Sequence, residues 1–269
     1  PAVAPKQHVA QSSADHTAKE QQAVALISQG KLQEAQAIYK DLIATGTSNH
    51  IVYGNLAAIC VMQGRFDELI ELLTKALQLK PNYPDAHNNL GIALKEQGDL
   101  TAAIASYNTA LQLKPNYPDA HWNSALTMLL GGDYKKGWEK YEWRSKKEKN
   151  ASKPHALPKC ILWSGETATN QINQLLLVTE QGLGDTLQFM RYALALRDQG
   201  VDVSLCAQPK LHSLIKTSGI DPSPLTPQQA NQVTDGQWIP LLSVPRHLEV
   251  SPENPIVTES YIKTTEELH

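Results

Sequence analysis

Twelve residues, ALQLKPNYPDAH, stand at 76–87 and again unchanged at 110–121, an offset of 34. One structural unit therefore occurs at least twice, and a repeat of this length buries its apolar face on its neighbour. The period extends beyond the copied stretch. Leu56 corresponds to Leu90, Ala76 to Ala110 and Pro81 to Pro115. Gly30, Gly64, Gly98 and Gly132 are also 34 apart, each placed to close one helix and open the next. Pro81 and Pro115 cannot continue the preceding helix, because proline lacks an N–H and clashes with the turn before it. Pro84 and Pro118 fall at a first helical turn, where the missing N–H costs nothing. PNYP is thus a helix stop followed by a helix start.

A 34-residue helix–turn–helix period is that of tetratricopeptide repeats, and NNLGIALKEQGDLTAAIASYNTALQLKP, 88–115, resembles the family pattern nearly throughout. The resemblance implies four units, near 16–47, 50–81, 84–115 and 118–149. Helices are expected at 16–29, 32–45, 49–63, 66–79, 84–97, 100–113, 118–131 and 134–148. An α-solenoid of four helix pairs then spans 16–149, after a segment, 1–15, expected to be disordered. The end units depart from the pattern. Thr47 replaces the later prolines, Ser124 and Ala125 replace Leu90 and Gly91, and Arg144 replaces Ala110. Atypical ends suit an array whose terminal repeats cap the stack.

Asn55, Asn89 and Asn123 form another 34-spaced series. In the family, the first helix of each pair lines the concave face, so the resemblance implies a ladder of amides there. Amides both donate and accept hydrogen bonds. Such a ladder can hold an extended peptide backbone without reading its sequence, as resemblance to the repeats of O-linked N-acetylglucosamine transferases implies. The alternative is that these side chains pack against the neighbouring turn. Asn88 and Lys95 share the helix of Asn89 and complete the candidate peptide-binding set. A protein or peptide partner follows from this reading. Trp122, Leu126 and Leu129 make the fourth unit's groove side apolar, fit either to meet a ligand or to dock on the next domain.

Other function classes draw little support. Net charge is −3, from 24 basic and 27 acidic residues, so no general attraction to nucleic acid or anionic membrane is expected. KKGWEKYEWRSKKEK, 135–149, is basic with interleaved aromatics. Trp138 and Tyr141 are three apart on one helix face, as core residues are, and Glu139, Glu142 and Glu148 dilute the lysines. Cys60, Cys160 and Cys206 form no C-x-x-C pair, so no metal or redox motif is expected and a reducing, cytoplasmic compartment is favoured. No apolar run is long enough for a membrane helix, and no signal-peptide pattern is present.

After about residue 150 the period stops. ASKPHALPKC, 151–160, reads as linker, and a linker is expected over 150–162. The class then changes to α/β over 163–269. LLLV, 175–178, reads as a strand buried on both faces; TLQFMRYALALRDQG, 186–200, as a helix; VDVSLCA, 201–207, as a second strand. KLHSLIKTSG, 210–219, reads as a helix and WIPLLSV, 238–244, as a later strand. This alternation predicts a parallel sheet with Rossmann-like winding, whose ligands bind beyond the strands' carboxyl ends. The turn EQGLGDT, 180–186, lies there. Gly182 and Gly184 are expected to turn the backbone sharply, but the third glycine of a dinucleotide fingerprint is missing. Asp185 is either a helix cap or a catalytic acid. His212, Arg246 and His247 are isolated, with surface or helix roles expected.

EQGLGDTLQF resembles the glycine-turn motif of heptosyltransferase-like glycosyltransferases, glycosyltransferase family nine. The order of repeats, then YEWR (141–144), W-S-G (163–165), EQGLGDTLQFMRY and IPLLSVP (239–245), resembles bacterial tetratricopeptide proteins carrying such a domain. The resemblance implies half of a GT-B-type fold. In it Asp185 is the candidate base that takes the acceptor hydroxyl's proton, and Gly182, Gly184 and Thr186 form the acceptor loop. About 110 residues follow residue 160, enough for one sheet domain and not for two Rossmann halves. No cofactor is therefore expected in this chain, and a nucleotide-sugar donor requires a second half domain. Three functions remain open: a protein-interaction module fused to a half domain, a sugar transferase lacking its donor half, and a non-catalytic scaffold.

Overall fold

Gly30, Gly64, Gly98 and Gly132 all take positive φ, +75°, +68°, +86° and +89°. Only glycine enters that region without steric cost, and this dictates the 34-residue punctuation. The computed structural model describes residues 5–147, 152–166, 171–256 and 260–263. Contacts divide the chain into two units, Pro1–Gly131 and Gly132–His269.

The first unit holds α1 (Pro5–Ser28), α2 (Leu32–Ala44), α3 (His50–Met62), α4 (Phe66–Leu79), α5 (Pro84–Glu96), α6 (Leu100–Leu113) and α7 (Pro118–Leu130). These match the expected helices to within a residue or two, except at the start. Helix α1 begins at Pro5, within the segment expected to be disordered. Proline suits the first helical turn, and no glycine or further proline interrupts the residues behind it. Consecutive helices pack as antiparallel pairs. Helix α3 also packs on α5, and α5 on α7, so the first helices of successive pairs line one inner face. Tyr39, Leu42, Leu56, Ile59, Leu69 and Leu73 are fully buried between the layers.

The copied twelve residues build one turn twice. His87 Nε2 lies 2.9 Å from Pro81 O, and His121 Nε2 lies 2.9 Å from Pro115 O. Each imidazole satisfies a carbonyl that the proline-broken helix leaves open. Lys80 lies over the Tyr83 ring and Lys114 over the Tyr117 ring. Two helix glycines admit tyrosines: Tyr83 rests where a Cβ on Gly54 would stand, and Tyr107 does the same at Gly91.

The second unit opens with α8 (Tyr134–Tyr141) and a 3-10 turn, Glu142–Lys146. The helix expected to reach 148 changes character at 142, the turn that carries Arg144 inward. Then come β1 (Ile161–Leu162), β2 (Gln174–Val178), α9 (Leu183–Phe189), α10 (Arg191–Asp198), β3 (Asp202–Cys206), α11 (His212–Thr217), α12 (Pro227–Ala230), β4 (Gln237–Pro240) and α13 (Val244–His247). The strands make one parallel sheet in the order β1-β4-β2-β3. Leu175, Leu177 and Val178 are buried on both sides, as their uninterrupted apolar run implies.

Several boundaries differ from the sequence reading. The strand expected over 238–244 ends at Pro240; a 3-10 turn and α13 follow, with Pro245 in the first turn of α13. The helix expected over 186–200 divides at Met190, where Tyr261 donates to Leu187 O near the end of α9. Helix α11 covers 212–217, behind a 3-10 turn at Pro209–Leu211. Residues 152–162 do not behave as a free linker. Ala156 and Cys160 are buried, His155 N–H donates to Thr179 O at 2.8 Å, and the segment ends in β1.

Candidate functional sites

In the first unit, a groove of about 370 Å³ opens between α1 and α3, lined by Glu20, Val24, Tyr39, Ile51 and Asn55 among others. Val24 and Ile51 are 50% and 46% exposed, so the groove presents aliphatic surface to solvent. Asn55 Nδ2 donates to Tyr39 Oη at 3.0 Å, linking one repeat to the next. Asn123 stands in the same sequence relation to Tyr107, yet its Nδ2 donates to Asn88 Oδ1 at 3.0 Å. Asn88 Nδ2 in turn lies 3.5 Å from Asn89 Oδ1. Burial has pushed the Tyr107 phenol up to about 12.

The structure therefore joins Asn88, Asn89 and Asn123 into one amide chain and holds Asn55 apart on Tyr39. Asn88 is 4% exposed, whereas Asn55, Asn89 and Asn123 are half-buried on the inner helices. Lys95 is half-buried and pairs with Glu96 at 2.7 Å. The amide nitrogens of Asn55 and Asn123 bridge repeats, whereas Asn89 accepts from Asn88 within α5.

In the second unit, the sheet order sets the geometry. The chain leaves β2 to reach β3 on one side and returns to β4 on the other. The crevice beyond the carboxyl ends of β2 and β4 is thus where an open parallel sheet takes a ligand. Here that place is filled by protein. Arg144 Nη2 lies 3.1 Å and 2.9 Å from the two oxygens of Glu180, and 2.7 Å from Ser243 Oγ. Arg144 Nη1 donates to Glu142 Oε1 at 3.1 Å, and Ser243 Oγ donates to Glu142 Oε2 at 2.9 Å. The N–H of Leu242 completes Glu180 at 3.2 Å. Burial lifts Glu180 above the usual carboxylate range, with Arg144 and the Leu242 amide pulling against it. Burial likewise opposes the charge on Arg144, but the two glutamates outweigh it and hold the guanidinium above its ordinary value.

YEWR, EQGLGD and LLSVP, three separate motifs, meet in this one network. Arg144 and Glu180 were not among the expected site residues. The signal for Arg144 was present: it breaks the repeat pattern where Ala110 stands. These side chains bond to one another across the carboxyl ends of β2 and β4.

Gly182, Gly184 and Thr186, expected to form an acceptor loop, follow Glu180 of this network in the chain, with a different local chemistry from that expected. Gly182 has φ −65° and ψ 175°, an extended N-cap that any residue adopts, and Gly184 sits in the first turn of α9 with open space around it. Neither is among the positive-φ glycines, so the turn is not sharpened by left-handed backbone as the sequence suggested. Thr186 is buried, its hydroxyl 3.2 Å from Gly182 O and 3.1 Å from Gln208 Oε1. Gln208 Nε2 donates to Gln181 O at 2.7 Å, so Thr186 and Gln208 fix the loop to the end of β3. Asp185 is half-buried in the first turn of α9, whose N-cap, Gly182, has no side chain to accept from the helix's free N–H groups. The helix end favours its negative charge without a formal cap.

His247 and Trp163 explain the W-S-G motif. The imidazole stacks on the indole with ring centroids 4.6 Å apart, and Gly165, φ +88°, leaves space that a Cβ would take from His247. His247 is half-buried rather than a surface residue, while Arg246 is exposed as expected. His212 Nε2 lies 3.0 Å from Ala207 O, a satisfied histidine. Among the described residues no group of three His, Cys, Asp or Glu side chains is placed to hold a metal, and no helix is long and apolar enough to cross a membrane.

A comparison with curated proteins returns no match. Solved structures of similar fold include MamA, 19% identical over 51% of this chain and 81% of that one, TM-score 0.45. YrrB, titled a TPR protein with an unusual peptide-binding site, is 20% identical over 49% of this chain and 68% of that one, TM-score 0.43. The first TPR of Spaghetti (RPAP3), solved with an HSP90 peptide, is 21% identical over 42% of this chain and 89% of that one, TM-score 0.40. The TPR repeat family matches residues 57–98 and 93–131, within the segment built from the 34-residue period. The chain carries tetratricopeptide repeats across residues 57–131.

Proposed function

We propose that the repeats form a protein-interaction module that binds an extended peptide along the inner face of α1, α3, α5 and α7. The open groove at Val24, Ile51 and Asn55 carries this reading, because it sets exposed aliphatic side chains beside an amide series. Asn55, Asn89 and Asn123 would contact the peptide backbone, Asn88 would orient Asn123, and Lys95 would border the groove. Peptide capture by the full chain tests it. Asn55→Ala with Asn89→Ala should weaken capture while the melting temperature holds. Undiminished capture would remove the amides from the site, and a large fall in melting temperature would assign them to packing alone.

A second reading rests on Asp185, half-buried in the first turn of α9 just beyond the carboxyl end of β2 in a parallel sheet. It makes the second unit the acceptor half of a glycosyltransferase of the heptosyltransferase kind, with Asp185 as base and a separate half binding the nucleotide sugar. The filled crevice at Arg144 and Glu180 weighs against donor binding here. Sugar transfer that survives Asp185→Ala would dismiss the assignment.

A further inference from the structure

The second unit holds a cleft that neither functional reading uses. Its volume is about 310 Å³, and it lies between α8 and the turn that follows α13. That is the small end of the range for small-molecule sites, about 300–1,000 Å³. Helix periodicity builds one wall. Tyr134 and Trp138 are four apart, as are Lys135 and Glu139, so two rings and two opposite charges stand side by side on α8. Arg246, in α13, and Glu249, just behind it, form the other wall. Trp138 Nε1 donates to Val250 O at 2.9 Å and pins the two walls together.

Two features separate this cleft from an ordinary charged surface. The first is uncommitted charge of both signs. Lys135, Glu139, Arg246 and Glu249 are exposed, and none of these side chains makes a hydrogen bond or ion pair among the described residues. Lys136 and Lys140 of α8 lie outside the lining, and Glu253 bonds the Ser251 hydroxyl. The second feature is the backbone of Glu249. It takes φ +51° directly after α13, with its own N–H on Arg246 O and the Val250 N–H on Pro245 O. The same pair of bonds closes α10 and α11, and there the residue is Gly200, φ +87°, and Gly219, φ +70°. Glycine takes this position without steric cost. A glutamate stands here against backbone preference, and it lines the cleft.

We infer that this cleft binds a free α-amino acid with an apolar side chain. A ligand with one positive and one negative group satisfies both signs of the lining, whereas a simple cation or anion is repelled by one pair. Glu139 and Glu249 receive the ammonium, and Lys135 and Arg246 the carboxylate. The rings of Tyr134 and Trp138 take the side chain.

Isothermal titration calorimetry on the full chain tests it, with L-phenylalanine as the probe. The comparisons are L-phenylalaninamide, which lacks the carboxylate, and N-acetyl-L-phenylalanine, which lacks the ammonium. L-Phenylalanine should bind at least about tenfold more tightly than either, the scale of losing hydrogen bonds to a charged group. Glu249→Gly should weaken it by a similar factor while the melting temperature holds or rises, because glycine relieves the backbone. Arg246→Gln should weaken L-phenylalanine and leave the amide's binding unchanged. Equal binding of the amide makes this a cation site, and equal binding of the acetyl derivative makes it an anion site; either overturns the inference. So does the absence of binding at millimolar L-phenylalanine, or an affinity unchanged in Glu249→Gly. A lower melting temperature in Glu249→Gly assigns the glutamate to the fold and overturns it too.

Discussion

Arg144 Nη2 sits 2.9 Å from Glu180 Oε2 across 36 residues of chain, and both side chains are almost completely withdrawn from solvent. This pair joins the turn after α8 to the loop after β2, with Ser243 bringing in the end of β4. A buried ion pair is costly to break one-sidedly, because the remaining charge is left desolvated. Arg144→Met should therefore destabilise the second unit by about 3–5 kcal/mol. Adding Glu180→Met should recover much of the loss, since an apolar pair of similar volume strands no charge. Urea unfolding of the two single variants and the double variant gives the coupling directly. Additive losses would show that the pair does not act as a unit.

Gly91 and Gly184 make opposite predictions from the same chemistry. A Cβ on Gly91 would stand 2.5 Å from Tyr107 Cε1, inside the fully buried core. Gly91→Ala should cost about 1–3 kcal/mol, the usual penalty for overpacking. Gly184 has nothing within 4 Å of such an atom and lies in a helix. Gly184→Ala should be neutral or gain up to about 1 kcal/mol through helix propensity. Thermal unfolding of both variants settles the contrast. Loss at Gly184 would show that the first turn of α9 does not accept a Cβ despite the open space around it.

The repeat half was legible because its punctuation is local chemistry. Positive φ demands Gly64 and Gly98, and Pro81 and Pro84 bracket a turn whatever surrounds them. Strand LLLV was legible as a buried apolar run. IPLLSV was not, because an apolar run does not distinguish a strand from the 3-10 turn and short helix that follow Pro240. The Arg144 network was hidden for a different reason. Arg144 announced itself by replacing the alanine of the pattern, but its partners lie 36 and 99 residues away and only the sheet topology brings them together. Gln208 likewise became visible only once its side chain bridged Thr186 and Gln181.

His87 and His121 close identical turns, so their removal should act independently. Each imidazole bonds a proline carbonyl six residues back. His87→Ala and His121→Ala should each cost about 0.5–1.5 kcal/mol, the net worth of one hydrogen bond. The double variant should lose about the sum, because the two imidazoles bond different carbonyls, Pro81 O and Pro115 O. Calorimetry of the three variants checks this. A strongly cooperative loss would show that the turns communicate through the stacked repeats.

His247 gives the second unit a pH dependence of definite sign. Burial, then the neighbouring Arg246, hold its imidazole below the ordinary 6.5, with Glu142 opposing weakly. His155 is also lowered by burial, with Glu180 opposing. As pH falls below 6.5 the unfolded chain takes up protons that the folded chain still refuses. Stability from these histidines is therefore fully present above 6.5 and is lost as pH falls through their lowered folded values. His247→Phe keeps a ring on Trp163 and removes one of the titrating groups. Its unfolding midpoint should fall less steeply than the wild type's between about pH 7 and about pH 5, the range in which histidine titrates. His155 contributes in the same direction to the slope that remains. Denaturant titrations followed by tryptophan fluorescence at several pH values make the comparison. An unchanged slope in His247→Phe would show that protonation of His247 does not oppose folding.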